Sequence, residues 1–369
     1  MLIKKTYRET RRLLSQYGNA IAFESRGRAS AVLPNVYKIL RARFKYGVGP
    51  VYYALYRFSQ VPESEWGNYV TDDPRFKEFL KKLNPDKFRT IADNKLLFHR
   101  HCVRNGLPTI PMLCLVTDDA DLATHGAQRV RDATQLRTAL QAAPGEMFVK
   151  TMAGTYGEGA FVLRREGDLF SFAGRTGSPD ALFRYLIENL GDEQGWILQP
   201  RARSHESLRG VVSPNALATV RAVTQMRGDR AELLIADLKI TVGDSVTDNF
   251  SKGKSGNLLA GIDVASGRLG AAWGSIRKDW PVMTPFANHP ETGCRIEGYE
   301  LPFWRDLVDV ALRAQESVPQ LRSLGWDIAA TTDGIMLVEA NSTYDVSILQ
   351  VAHQRGLKRE LQRALARSD

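Results

Sequence analysis

Apolar and polar positions alternate most regularly near the C-terminus, in Gly325-Trp326-Asp327-Ile328-Ala329-Ala330-Thr331-Thr332-Asp333-Gly334-Ile335-Met336-Leu337-Val338-Glu339-Ala340-Asn341. This pattern predicts two short strands joined at Asp333-Gly334, because Asp-Gly between apolar runs is a strong hairpin signal. Glu339 and Asn341 are two residues apart and share a face, and an antiparallel pairing lets Asp327 stand across from them. Upstream, residues 1–61 read as helical and aromatic, and residues 62–110 as helical and polar. A helix is expected to start at Ile91-Ala92-Asp93-Asn94-Lys95 with Asp93 as its N-cap. Strands are predicted at Pro111–Val116, Glu146–Lys150, Ala160–Leu163, Gly195–Pro200, Ala218–Thr224 and Ala231–Val242. Helices are predicted at Asp132–Ala143, Ser178–Leu190, 303–317 and Asp345–Gln354, and residues 270–305 read as irregular.

The polar positions inside these apolar runs carry the candidate chemistry. Asp327, Glu339 and the Asn341 amide oxygen form a set of hard oxygen donors of the kind Mg²⁺ shares with substrate phosphates; solvated edge residues are the alternative. Lys150 ends a strand and precedes Gly154-Thr155-Tyr156-Gly157-Glu158-Gly159, where glycines allow backbone N–H groups to close over phosphate oxygens. A strand follows this loop rather than a helix, which excludes a Walker or Rossmann site. Lys95 falls in a helix's first turn, where the dipole disfavours a cation, so an anion is expected beside it. Arg221 lies among apolar neighbours and must be paired, with a structural carboxylate or with a substrate phosphate. Asp237 and Lys239 share one strand face and fit an ion pair with each other or across the sheet. The loop Asp248-Asn249-Phe250-Ser251-Lys252-Gly253-Lys254-Ser255-Gly256 fits a lid over an anionic substrate, or a mobile turn. Gln199 ends a buried strand whose continuation offers backbone donors and acceptors to an adenine ring. His99, His101 and His205 read as surface or packing residues.

Composition sharpens this picture in one place. The chain of 369 residues is long for one hydrophobic core, so two or three subdomains are expected. Three widely spaced cysteines argue against a disulfide framework or a structural zinc site and fit a reducing cytoplasm. No run is apolar enough for a membrane helix, and no signal peptide is expected. The net charge of +9 is concentrated: residues 1–61 hold 12 Lys/Arg against 2 Asp/Glu, and the remainder holds 38 against 39. The basic, tyrosine-rich segment fits an anionic membrane surface or an anionic glycan. It also fits a plain helical lobe whose Arg and Lys stems snorkel over packed rings. Nucleic acid is disfavoured, because no readout module accompanies the charge.

The order of these motifs resembles the ATP-grasp superfamily, and the closer match is the sugar-transfer-associated ATP-grasp family of bacterial envelope-glycan gene neighbourhoods. Asn94-Lys95, Phe148-Val149-Lys150, Ala218-Thr219-Val220-Arg221, Thr247-Asp248-Asn249-Phe250, His289-Pro290-Glu291-Thr292-Gly293, Gly325-Trp326-Asp327 and Glu339-Ala340-Asn341 carry the resemblance, which spans about residues 84–356. It implies an α+β ATP-grasp fold, two α+β subdomains with ATP between them, preceded by a basic, mainly helical N-terminal lobe. The expected division is 1–83 for that lobe, 84–143 for a linking region, 144–200 for the subdomain with the glycine loop and 201–369 for the subdomain with the Mg²⁺ hairpin. Lys95 and Lys150 would contact ATP phosphates, Gly154, Tyr156, Gly157 and Gly159 would form the closing loop, and Gln199 would meet adenine. Arg221, with Lys239 and Asn249, would serve the reacting groups, and Asp327, Glu339 and Asn341 would hold Mg²⁺. Gln199 stands where the family's connector usually has a glutamate, and Ser255-Gly256 replaces paired glycines. The implied activity is an ATP-dependent carboxylate–amine ligase acting through an acyl phosphate on a small or glycan-linked carboxylate. A phosphotransferase on the same site and a non-catalytic nucleotide-binding scaffold at the membrane are the competing readings.

Overall fold

A computed structural model of the protein describes residues 2–71, 74–119, 127–141, 143, 145–152, 159–190 and 195–366. The N-terminal part is all helical: α1 (Leu2–Ser25), α2 (Ala29–Tyr46), α3 (Pro50–Leu55), α4 (Glu63–Trp66), α5 (Pro74–Leu83), α6 (Asp86–Asp93) and α7 (Lys95–Arg104). Asp93 is not the cap of α7. It closes α6 in helical geometry, and Asn94, the single extended residue between the two helices, accepts from the Leu96 and Leu97 amides at 3.0 Å each. Asp93 instead accepts from the Ser342 hydroxyl.

The first sheet comprises β1 (Cys114–Val116), β2 (Gln128–Val130), β3 (Glu146–Thr151), β4 (Phe161–Glu166), β5 (Leu169–Phe172), β6 (Arg175–Gly177) and β7 (Trp196–Pro200), in the order β2-β1-β7-β3-β4-β5-β6. Helices α8 (Ala133–Gln141) and α9 (Pro179–Glu188) cover one face, packing Leu136, Leu140, Leu182 and Leu186 on Met147, Val149 and Leu198. Alternate burial along β3 sends Lys150 to the opposite face. There a smaller cluster gathers Leu96, Leu115, Met152 and Ile197.

The second sheet is antiparallel throughout. It comprises β8 (Val220–Arg227), β9 (Arg230–Ile240), β10 (Leu258–Ile262), β11 (Leu269–Ser275), β12 (Met283–Phe286), β13 (Ser323–Thr331) and β14 (Gly334–Asn341), in the order β12-β11-β10-β9-β8-β13-β14. The stretch 270–305 is thus not irregular. It supplies most of β11 and all of β12, short strands whose Gly and Pro content hides their alternation. Helix α10 (Trp304–Glu316) packs on one face over the large core of Val220, Ala222, Leu238 and Ile328. Helix α11 (Val346–His353) covers the other face, and α12 (Lys358–Ala366) follows it.

Both chain crossings between the sheets are stitched to the β13–β14 hairpin. On the way in, Leu337 donates to the Pro108 carbonyl and Thr109 pairs with Leu337; on the way out, His205 donates to Ala330 and Thr332 to Arg203. The hairpin therefore sits where the two sheets meet. No helix among the described residues is long and apolar enough to cross a membrane. The three cysteines are unpaired, and Cys102 and Cys114 are buried.

The N-terminal helices are clamped to the second sheet by Gln350 of α11. Its buried amide donates to the Tyr56 hydroxyl at 2.9 Å and the Val70 carbonyl at 2.8 Å, and accepts from the Val70 and Leu357 amides. Gln350→Leu preserves bulk but orphans these buried groups, each costly without a partner. We expect a loss of about 3 kcal/mol in denaturant unfolding; a loss indistinguishable from zero would show that the clamp is dispensable.

Candidate functional site

One row of side chains crosses the second sheet at a single level. Glu339 of β14 pairs with Asp327 of β13, Asp327 with Arg221 of β8, Arg221 with Asp237 of β9, and Asp237 with Gly261 of β10. The register depends on a β-bulge. From Thr331↔Gly334 to Ile328↔Leu337 the hairpin pairs regularly, and the next pair is Asp327↔Glu339, leaving Val338 as the extra residue. Without it, Asp327 would face Val338; the bulge re-aims Glu339 and Asn341 onto the polar level. The turn itself is Thr332-Asp333, with Gly334 (φ 109°) opening β14 rather than closing the turn. Gly325 makes room for the row: a Cβ there would lie 2.6 Å from the Tyr344 Cβ and 3.2 Å from the Arg221 Cδ.

The charges in the row are buried and mostly matched. Arg221 donates from Nε and Nη2 to the two Asp327 oxygens at 2.5 and 3.0 Å. Lys239, on the same strand face as Asp237, lies 3.0 Å from Asp327 and 3.7 Å from Asp248. Asp248 also accepts from the Thr219 amide at 3.2 Å and from the Thr219 hydroxyl. Burial opposes the charge on each of these groups. For Asp327 the two cations win and hold its pKa at about 2, and for Arg221 and Lys239 the carboxylates win and raise theirs. For Asp248 burial wins and raises the pKa. Removing one partner of such a pair costs about 3–5 kcal/mol, because the other charge is left buried alone.

Asp237 is the odd carboxylate. It is fully buried, and neither oxygen meets a hydrogen-bond donor among the described residues. Burial pushes its pKa up to about 7, against the pull of Arg221 and Lys239. The two cations are already spent on Asp327 and Asp248, so a third full negative charge has no counter-ion. Of the two pairings open to Lys239, with Asp237 on its own strand or across the sheet, the second is formed.

Facing the row from the first sheet is Lys150. It is half-buried, and burial pushes its pKa down to about 8 while the charge of Glu339 opposes the shift and that of Lys95 reinforces it. Lys95 and Lys150, from α7 and β3, thus come together with Glu339 of β14. Among the described residues the Glu339 carboxylate has no hydrogen-bond or ion-pair partner, and Asn341 makes one long contact to the Gly325 carbonyl at 3.5 Å. Of the expected glycine loop, Gly154, Tyr156 and Gly157 lie outside the described residues. Gly159 is at φ 78° against the Trp196 ring. Gln199 is buried and donates to the Ile110 carbonyl at 3.1 Å, holding the entry segment to β7. Asn249 accepts from the Ser251 amide through its side chain and from Asn257 through its carbonyl. His101 bonds Ser317, His205 caps a short 3₁₀ turn, and burial lowers the pKa of His99.

The model of the family described as sugar-transfer associated ATP-grasp matches residues 75–365. The chain belongs to that family. No curated protein matches it. Solved structures similar to this ATP-grasp chain include the ADP complex of an N5-carboxyaminoimidazole ribonucleotide synthetase (14% identical, covering 74% of this chain and 52% of that one, TM-score 0.41). Others are the D-alanine-D-alanine ligase from Coxiella burnetii (11%, 79% and 64%, TM-score 0.41) and the D-alanyl-alanine synthetase A from Vibrio cholerae (10%, 77% and 67%, TM-score 0.43). The chain thus spans about half the length of the first of these.

On β14 the Glu339 carboxylate and the Asn341 amide oxygen accept no hydrogen bond and form no ion pair among the described residues. They fit Mg²⁺, which keeps several waters and takes few protein ligands beside substrate phosphates. Asp327 stands next to them, but both its oxygens are engaged by Arg221 and Lys239, so metal ligation through it requires one of those contacts to open. The row's least legible member was Asp237. Its signal was an acidic residue inside an eleven-residue, largely buried strand, but nothing in the sequence marked it as unpaired.

The shift of Asp237 has a testable sign. Its folded pKa, about 7, lies above the ordinary 3.8, so the native state keeps a proton the unfolded chain has released. The stability this supplies is complete below 3.8 and is lost as the pH rises through about 7. Asp237→Asn mimics the protonated form. Denaturant unfolding at pH 5 and pH 8 should show the variant gaining stability relative to the parent as the pH rises; a variant that loses stability relative to the parent as the pH rises would contradict the burial of an unpaired carboxyl.

Proposed function

We propose that this chain is an ATP-dependent carboxylate–amine ligase that works through an acyl phosphate, modifying a glycan-linked or small carboxylate of the bacterial envelope from the cytoplasmic side. The observation that carries the reading is the meeting of Lys95 and Lys150 with Glu339. A lysine whose pKa is held down by burial and by a neighbouring lysine gains most from a bound polyanion. The triphosphate of ATP is the polyanion that the family points to.

In the proposed mechanism, Lys95 and Lys150 hold the phosphates, and the apolar group Leu96, Leu115, Met152 and Ile197 lies on the same face of the first sheet, suited to a purine ring. Glu339 and Asn341, with Asp327 beside them, would hold Mg²⁺, which when bound would supply charge neutralisation to the phosphates. The substrate carboxylate attacks the γ-phosphorus, the bond to the β–γ bridging oxygen breaks, and ADP leaves. The amine then adds to the acyl carbon, a proton is lost to solvent or base, and phosphate departs. Arg221 and Lys239 would offer fixed positive charge near the reacting oxygens, and such fixed charges act without reorganising. Direct attack requires positioning and charge neutralisation more than a protein nucleophile. In this reading the loop carrying Asn249 would lie beside the substrate carboxylate.

The test is ADP release with panels of amino acids and uronic acids, each with and without an amine, followed by mass spectrometry of the product. Release that depends on both carboxylate and amine is expected; release independent of amine points to a phosphotransferase, and Mg·ATP binding without any release points to a nucleotide-binding scaffold. Glu339→Gln and Lys150→Met should each cut turnover roughly 100-fold. Wild-type rates in both variants would contradict the assignment.

A further inference from the structure

Among the described residues twelve large apolar side chains are exposed, and eight of them lie in α1 and α2. Four form a stripe on α2: Leu33 (80% exposed), Tyr37 (62%), Leu40 (39%) and Phe44 (82%). Their spacing of four, three and four residues puts them on one helical face. The opposite face holds Ile39 and Ala42, which are buried in the core of the N-terminal lobe. The stripe is therefore not the inward side of α2. On α1, Tyr7 and Leu14 are also both 66% exposed and share a face. The other four exposed apolar side chains, Val103, Leu169, Val264 and Ile276, are scattered.

Cations flank the stripe. Arg41 and Arg43 lie to either side of it along α2, Lys38 and Lys45 stand farther round, and Arg11 and Arg12 are exposed on α1. Arg41 also packs over the Tyr37 ring and bonds its hydroxyl at 3.3 Å. Among the described residues Glu63 answers locally, pairing with Arg41 and Lys45. A second copy of this chain would bring the same positive charge to the seam, which disfavours self-association.

We propose that this face of α2 docks on a lipid bilayer bearing anionic headgroups. Phe44, Leu40 and Leu33 enter the boundary between headgroups and acyl chains, Tyr37 sits at headgroup level, and the Arg and Lys stems reach up to lipid phosphates. The attraction combines apolar burial with roughly 1 kcal/mol per basic residue near the charged surface. This assignment stands on the exposed stripe and its charge, independently of any ligase chemistry.

The experiment is co-sedimentation of the full chain with vesicles of phosphatidylcholine alone and of phosphatidylcholine mixed with phosphatidylglycerol, at low and high salt. Expected is binding to the mixed vesicles at least about tenfold tighter than to the neutral ones, weakened by salt. Leu33→Glu with Phe44→Glu should remove it, and Lys38→Gln with Arg43→Gln should weaken it, with folding verified by an unchanged unfolding transition. Ile276→Glu, an exposed position on the second sheet, should leave it intact. Equal binding to both vesicle types, or full binding by the Leu33→Glu, Phe44→Glu protein, overturns the proposal. So does a parent chain that ignores vesicles but self-associates, or captures an acidic helical peptide, through these residues.

Discussion

A β-sheet interior has no water to solvate charge, so every ion placed there must be matched by another. In the row from Asp327 through Arg221 to Asp237, the cations Arg221 and Lys239 match the carboxylates Asp327 and Asp248, and burial raises the pKa of the unpaired Asp237 to about 7. Such a network is poor at stabilising a fold compared with apolar packing of the same volume. Its value lies in fixing geometry: with Asp327 held by three hydrogen-bond donors, the neighbouring Glu339 and Asn341 have a fixed backbone to project from. The cost is met by α10 and its core, which secure the same strands from the opposite face.

The fold brings this row to the junction of the two sheets by connection rather than by proximity in sequence. The chain enters and leaves the first sheet through segments that bond the β13–β14 hairpin, so Lys150 on β3 and Glu339 on β14 are held at the same junction although they lie far apart along the chain. The N-terminal lobe joins the same region. Phe250 is buried in that lobe's aromatic core and Lys252 lies over the Tyr52 ring, while Asp248, two residues before Phe250, is an ion partner of Lys239. One short loop thus contacts both the lobe and the charged row.

Much of the architecture was legible because its signals are local. The alternation of β8, β9 and the last hairpin announced strands, and two apart on one strand is enough to place Glu339 with Asn341. What failed to show depends on partners remote in sequence. A strict count from the turn pairs Asp327 with Val338, and only the bulge delivers Glu339. Asp93 looked like a cap until α6 claimed it, because capping depends on which residue is left extended between two helices. Arg221 was known to need a partner, but a structural carboxylate and a phosphate satisfy it equally on paper. The exposed stripe on α2 was hidden for the opposite reason: its spacing is that of a core-facing helix, and burial alone reveals that it faces outward.

The central claim is that Lys150 of the first sheet and Glu339 of the second flank one bound triphosphate. The most direct measurement is a crystal structure with Mg²⁺ and a non-hydrolysable ATP analogue. The account predicts the phosphates between these two side chains, the metal on Glu339 and Asn341, and Arg221 still joined to Asp327. Nucleotide bound elsewhere, with Lys150 and Glu339 both remote from its phosphates, would contradict it.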